Sequence, residues 1–192
     1  MLALLLLGGC AAEPVWAPED AVQRALYRHA GGPSITLFTM VNNRTGEGAH
    51  AGLMVSASQR VIFDPAGTFW HPTLPERNDV HFGIKPSALD FYIDYHARET
   101  YHVVVQTLAV SPEQAERALG LVQSYGAVPK AHCTKAITTV LRQVPGFEGM
   151  RSTWFPAKAR DAFSSYPNVV TRRVFDDDPD DHSDLPEKTT LN

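Results

Sequence analysis

Gly48-Ala49-His50-Ala51-Gly52-Leu53-Met54-Val55, then Ser56-Ala57-Ser58-Gln59, then Arg60-Val61-Ile62-Phe63-Asp64: two apolar runs flank a short serine-containing turn. Runs of this length bounded by turn residues read as a pair of strands. Side chains alternate along a strand, so His50, Gly52 and Met54 share one face, and Ala49, Ala51, Leu53 and Val55 the other. On the next strand Arg60, Ile62 and Asp64 fall on one face. This puts Asp64 beside His50 across the pair. A carboxylate there holds the imidazole tautomer and raises its basicity. Gly52, next to the histidine on that face, leaves room for another element to come close.

Outward from this pair, Ser34 to Val41 is a strand pattern, and Asn42-Asn43-Arg44-Thr45-Gly46 is turn chemistry. The three closely spaced strands predict an antiparallel meander. Asp64-Pro65-Ala66-Gly67 closes it. Tyr101 to Val110 and Val169 to Phe175 read as further strands. Asp20 opens a short helix that ends before Gly31-Gly32-Pro33. Ser111-Pro112-Glu113-Gln114 is a helix start, with a capping serine, proline in the first turn and glutamine closing the box. Trp154 to Phe163 reads as a later helix. Thr68 to Thr100 is irregular and aromatic, with a short helix around Ser87 to Tyr95, and segments of this kind often cover a site. The fold class is α+β, an antiparallel sheet packed against helices.

Ala131-His132-Cys133-Thr134 opens another amphipathic helix, running to Val144 before Pro145-Gly146. Ala136, Ile137, Val140, Leu141 and Val144 form one apolar stripe, with Cys133 at its N-terminal end. The thiol therefore points at whatever the helix packs on. The positive end of the helix dipole favours its thiolate. A cysteine at this place is a candidate nucleophile when a histidine folds beside it, and His50 is the leading candidate. The bland alternative for Cys133 is packing, since free cysteines are among the most buried residue types. Asp64, before Pro65, reads equally as a turn residue.

These motifs resemble the NlpC/P60 superfamily of papain-like thiol enzymes, in its circularly permuted, lecithin:retinol acyltransferase-like branch. His50-Ala51-Gly52-Leu53 matches the His-x-Gly-aliphatic motif of an early strand. His132-Cys133-Thr134 is similar to the later cysteine motif, with His132 where that family has asparagine. The resemblance covers roughly residues 34 to 145. It implies a permuted papain-like domain over residues 34–175 and an acyl-enzyme reaction. Cys133 would be the nucleophile, His50 base and then acid, and Asp64 the orienting residue. His71 and His81 are the alternatives for the third position, which is often histidine in the family. The implied activity is that of an amidase or peptidase on cell-wall peptide, or of an enzyme acting on acyl-lipid substrates by hydrolysis or acyl transfer. A non-catalytic envelope protein that binds peptide or lipid is the alternative.

Leu2 to Leu7 followed by Gly8-Gly9-Cys10-Ala11 is similar to the lipobox of bacterial lipoproteins. The apolar run is shorter than the roughly 20 residues that span a bilayer, and it fits the core of a signal peptide. Residues 1–9 are thus expected to be a signal peptide, and Cys10 a lipidation site. Residues 10–33 would be an anchor, tether and short helix at the membrane. The resemblance implies a cell-envelope protein facing the periplasm, at the outer membrane. With Cys10 lipidated, Cys133 has no partner for a disulfide, since the chain holds two cysteines. Net charge is −4, which gives no footprint for nucleic acid. The acidity is concentrated in Asp176-Asp177-Asp178-Pro179-Asp180-Asp181, so residues 176–192 are expected to be an acidic disordered tail. No glycine-rich phosphate loop is present, and the histidines lack tight metal-ligand spacing. The sequence therefore calls for no cofactor and no metal.

Overall fold

A computed structural model describes residues 12, 14–183, 185 and 191. The expected signal peptide and Cys10 lie outside the described residues. The chain runs α1 (Glu19–Ala25), β1 (Ser34–Asn42), β2 (Gly48–Ser56), β3 (Arg60–Phe63), β4 (Glu76–Arg77), β5 (Val80–Phe82), α2 (Pro86–His96), β6 (Tyr101–Ala109), α3 (Pro112–Gln123), α4 (Cys133–Leu141), α5 (Pro156–Ser164) and β7 (Val170–Val174). The strands form one sheet in the order β4-β5-β3-β2-β1-β6-β7, with every pairing antiparallel. The α+β class read from the sequence is the class observed, and the β1-β2-β3 meander is as expected.

Alternation divides the core in two. Ile35 and Leu37 of β1, Ala51, Leu53 and Val55 of β2, and Val61 and Phe63 of β3 pack under α3, α4 and α5. Phe38, Met40, Met54 and Ile62 face the other way and pack against Ala88, Tyr92 and Ile93 of α2. The stripe of α4 goes to the first core: Ile137, Val140 and Leu141 are fully buried there, as is Val144, read as helical but lying in the turn after α4. Burying each of these side chains is worth about 1.5–3 kcal/mol. The capping box at the head of α3 is formed, with Ser111 Oγ accepting from Gln114 N–H and Gln114 Oε1 accepting from Ser111 N–H.

Three expectations are corrected. Residues 74–82, read as irregular, contain the β4–β5 hairpin. Its two-residue turn is Asn78-Asp79, both with positive φ (46° and 66°), as hairpin turns of this length require. Residues 14–18, read as a tether, lie along β4: Ala17 N–H donates to Glu76 C=O at 2.9 Å, and Trp16 bridges to Arg77. Residues 176–182, read as free, lie on the body of the domain. Among the described residues no helix is long and apolar enough to cross a membrane.

Candidate functional site

β3 covers β2 only from Leu53 to Ser56. Beyond that point β2 keeps β1 on one side but has no strand among the described residues on the other, which leaves a notch in the sheet. A bulge at Ala49 ends the regular β1–β2 register just past His50. Bulges commonly re-aim a side chain next to a site. Asp64 follows directly on the last residue of β3 and stands at the same notch. Its Oδ1 accepts from His50 Nε2–H at 2.8 Å and from the Tyr92 hydroxyl at 2.7 Å. The side chain of Asp64 is 1 % exposed and that of His50 19 %, so the pair opens to solvent through the imidazole alone.

The thiol arrives from the opposite layer. His50 belongs to the α2 face, whereas α4 lies on the other face of the sheet. The expectation that helix phase and strand alternation would bring the two together on one surface is therefore corrected. They meet around the uncovered edge of β2. With Nε2 on Asp64, Nδ1 is the nitrogen left for the thiol. The N–H of Ala51, on the edge that β3 leaves bare, donates to the sulfur. Thr134 Oγ1 is 3.7 Å from Cys133 Sγ. Cys133 is free and buried. It is the first residue of α4, so its N–H has no carbonyl one turn back to bond. Ala131, just before, takes the left-handed conformation (φ 65°) that turns the chain into the helix.

The electrostatics follow from this arrangement. Burial works against charge on His50, but the Asp64 carboxylate outweighs it and, with Cys133, raises the imidazole to about 10. Burial also works against the Cys133 thiolate, but the imidazole, then Thr134 and the Ala51 N–H, carry the thiol below its ordinary value. Asp64 is held well below the usual carboxylate range: burial opposes this, and His50 overrides it. The three side chains thus favour thiolate, imidazolium and carboxylate in a row. Such a row can deliver a sulfur nucleophile and then a proton.

The two alternative histidines are placed elsewhere. His71 is buried, takes hydrogen bonds from Thr73 on Nδ1, and sets its ring edge-on to Phe91. His81 is buried on β5 with its ring edge-on to Phe69, and burial lowers it to about 4 against the pull of Asp64. His132 is the half-buried N-cap of α4. Its Nδ1–H donates to Lys130 C=O at 2.9 Å and its ring packs on Trp154.

Two residues of α2 belong to the site and were not singled out from the sequence. Tyr92 supports Asp64. His96 stacks on the His50 ring, with centroids 5.9 Å apart and planes at 18°. Its Nδ1–H donates to Tyr92 C=O, which leaves Nε2 as an acceptor. Their i, i+4 spacing on a helix was the available signal, because it puts both on one face. Gly52 provides the space: a Cβ there would stand 2.1 Å from the Tyr92 hydroxyl. Gly67 does the same for Asp64, since a Cβ there would stand 1.7 Å from Oδ2.

Ligand atoms of His50, Asp64 and His96 lie within 4.8 Å of one another, as do those of Asp94, Asp176 and Asp178. These are the groups among the described residues that could hold a cation. In the first of them a cation would displace the hydrogen bond that orients His50. A cleft of about 420 Å³ opens from His50 and His96 past Tyr95 to Arg98 and Thr100. Compared with known protein families, curated proteins and solved structures, the chain matches none of them.

Proposed function

We propose that this protein is a thiol hydrolase of the permuted papain-like type that opens amide or peptide bonds through an acyl-enzyme on Cys133. The observation that carries this reading is the single line of contacts from Asp64 through His50 to Cys133, with His50 in the wall of a cleft. The chain order supports it as well: histidine on the second strand, carboxylate after the third, cysteine at the start of a helix that follows a capped one. In this mechanism Cys133 Sγ attacks the carbonyl carbon and a C–S bond forms. The carbonyl π pair moves to oxygen, where the Cys133 N–H donates to it. His50 passes its proton to the leaving nitrogen as the C–N bond breaks. Water then attacks the thioester carbon with His50 taking its proton, the C–S bond breaks, and the acid is released with thiolate and imidazolium restored. Asp64 keeps the imidazole oriented and stabilises its charge.

The lipobox-like motif at Cys10 supports a lipid-held protein at the cell envelope, facing the periplasm, for which cell-wall peptide is the natural amide substrate. Acyl transfer to an acceptor other than water uses the same first half-reaction.

Thiol labelling across pH tests the chemistry without a known substrate. Between about pH 8 and pH 6, wild-type Cys133 should lose less of its rate toward iodoacetamide than His50→Ala does, because His50 favours the thiolate. In His50→Ala the rate should fall about ten-fold for each pH unit below the ordinary thiol range of about 8.5. Identical profiles for the two proteins would remove the chemical basis of the hydrolase and leave the non-catalytic binding protein.

A further inference from the structure

The outer half of the cleft holds a set of groups that acyl chemistry does not use. After β7 the chain returns over the end of α2 and the start of β6. There Asp180 and His182 form part of the cleft wall. Thr100 donates twice to one carboxylate: its N–H to Asp180 Oδ1 at 3.2 Å and its hydroxyl to Asp180 Oδ2 at 2.5 Å. Glu99 N–H donates to Asp178 C=O at 3.0 Å. The Arg98 guanidinium, 3 % exposed, is shared between two carboxylates, 3.5 Å from that of Asp178 and 3.6 Å from that of Asp94 on α2. His182 Nε2–H donates to Tyr95 C=O at 2.8 Å, and its ring lies flat on Tyr95 at 4.2 Å.

A run of like charges repels itself and stays in water unless something else takes the charge. Here something does. A buried guanidinium, a backbone N–H paired with a hydroxyl, a second N–H aimed at a peptide carbonyl, and an aromatic plate together suit an extended acidic peptide. They read two carboxylates in alternate positions and one main-chain carbonyl. Pro179, between the two aspartates, fixes φ and reduces the ordering cost of the segment.

We propose that the outer wall of the cleft, where residues 178–182 lie on the end of α2 and the start of β6, is a carboxylate-reading subsite for an acidic, extended peptide, and that residues 178–182 occupy it as an intramolecular competitor. This deepens the hydrolase reading by naming an acidic peptide as its substrate class. The binding itself does not need an active thiol. A tethered occupant acts at an effective concentration on the millimolar scale, so a peptide in solution has to displace it.

The test uses the full chain and a fluorescein-labelled, N-acetylated and C-amidated peptide with the sequence of residues 178–182, followed by anisotropy. The double variant Asp180→Asn/His182→Ala should bind this peptide at least about ten-fold more tightly than wild type, because its own segment competes less well. Adding Thr100→Val should reverse most of that gain. A peptide carrying asparagine in place of its middle aspartate should bind weakly to all three proteins. Equal affinity of wild type and double variant, or no binding by either, overturns the proposal. Hydrogen exchange on unaltered wild type gives an answer that does not depend on the variants folding. Saturating peptide should speed exchange in residues 176–182, and unchanged exchange counts against the subsite. Labelling of Cys133 separates the two readings. An unreactive thiol with intact peptide binding defeats the hydrolase alone, and a reactive thiol without peptide binding defeats the subsite alone.

Discussion

The two faces of the sheet are built from different chemistry. Under α3, α4 and α5 the strands contribute Ile35, Leu37, Leu53, Val55 and Phe63, met by Ile137, Val140, Leu141 and Phe163. Under α2 the strands contribute apolar Phe38, Met54 and Ile62, but also buried Arg60 and His81, with buried Asp64 just past the end of β3. The first face fixes where α4, and so the thiol, stands. The second sets what the thiol's neighbours are charged with. Cys133 sits where the two meet, and only the gap beyond the end of β3 allows it.

The comparison breaks most easily at Asp64. Asp64→Ala removes the partner of a buried imidazole and leaves the Tyr92 hydroxyl without its acceptor. The expected loss is about 3–5 kcal/mol, the range for breaking a buried charge pair, read from urea unfolding at pH 7. The same variant should slow Cys133 labelling at pH 6 by at least about ten-fold, since each unit by which the imidazole pKa drops is worth about 1.4 kcal/mol. A variant that loses under about 1 kcal/mol and labels normally would mean that the polar face only packs.

Ile137→Ala tests the other side. It opens a cavity in the apolar face and should cost about 3 kcal/mol. The pH profile of Cys133 labelling should keep its shape, because the groups that favour the thiolate, His50, Thr134 and the Ala51 N–H, are left in place. A shifted profile would show that the faces are coupled through α4 and are not separate in function.

How much of this was legible in the sequence follows the same division. The apolar face was readable throughout: strand alternation and the α4 stripe name its members, and Ser111 and Gln114 announce α3. His50 beside Asp64 was readable because both sit at odd or even positions of adjacent strands. The route by which Cys133 reaches His50 was not, because it depends on where β3 stops and on the bulge at Ala49, and neither leaves a mark in periodicity. The β4–β5 hairpin has strands of two and three residues, too short for alternation to register. Only Asn78-Asp79, residues that tolerate positive φ, hinted at it. The docking of residues 176–182 was hidden for a different reason. Composition reports the repulsion within the run but not the Arg98 and Thr100 donors that relieve it, some eighty positions away.

The smallest expected effect concerns acid stability, where the two faces should again part. Asp64 has a lowered pKa, so its contribution is complete above its unfolded value of about 3.9 and fades as pH falls below it. His50 has a raised pKa, so its contribution is complete below about 6.5 and fades as pH rises toward 10. Between these limits the pair contributes a constant amount, and the slope comes from other groups. His81 and His96 are lowered to about 4, each by burial first. They stay neutral in the fold while the unfolded chain takes up protons, so stability falls as pH falls through this window. Each contributes at most about 1.4 kcal/mol per pH unit. Glu76 and Asp79, raised by burial, act in the opposite sense nearer their own range, so the slope is best read above about pH 5. Urea midpoints from about pH 6.5 to pH 5 should therefore decline in wild type and in Ile137→Ala alike. The decline should be reduced in His81→Gln, which keeps a polar group of similar reach without the titration, while His96 and the more exposed His29 and His102, also lowered by burial, keep part of it. An unchanged slope in His81→Gln would mean that this histidine is not the neutral, buried member of the polar face that its position between Asp64 and Phe69 makes it.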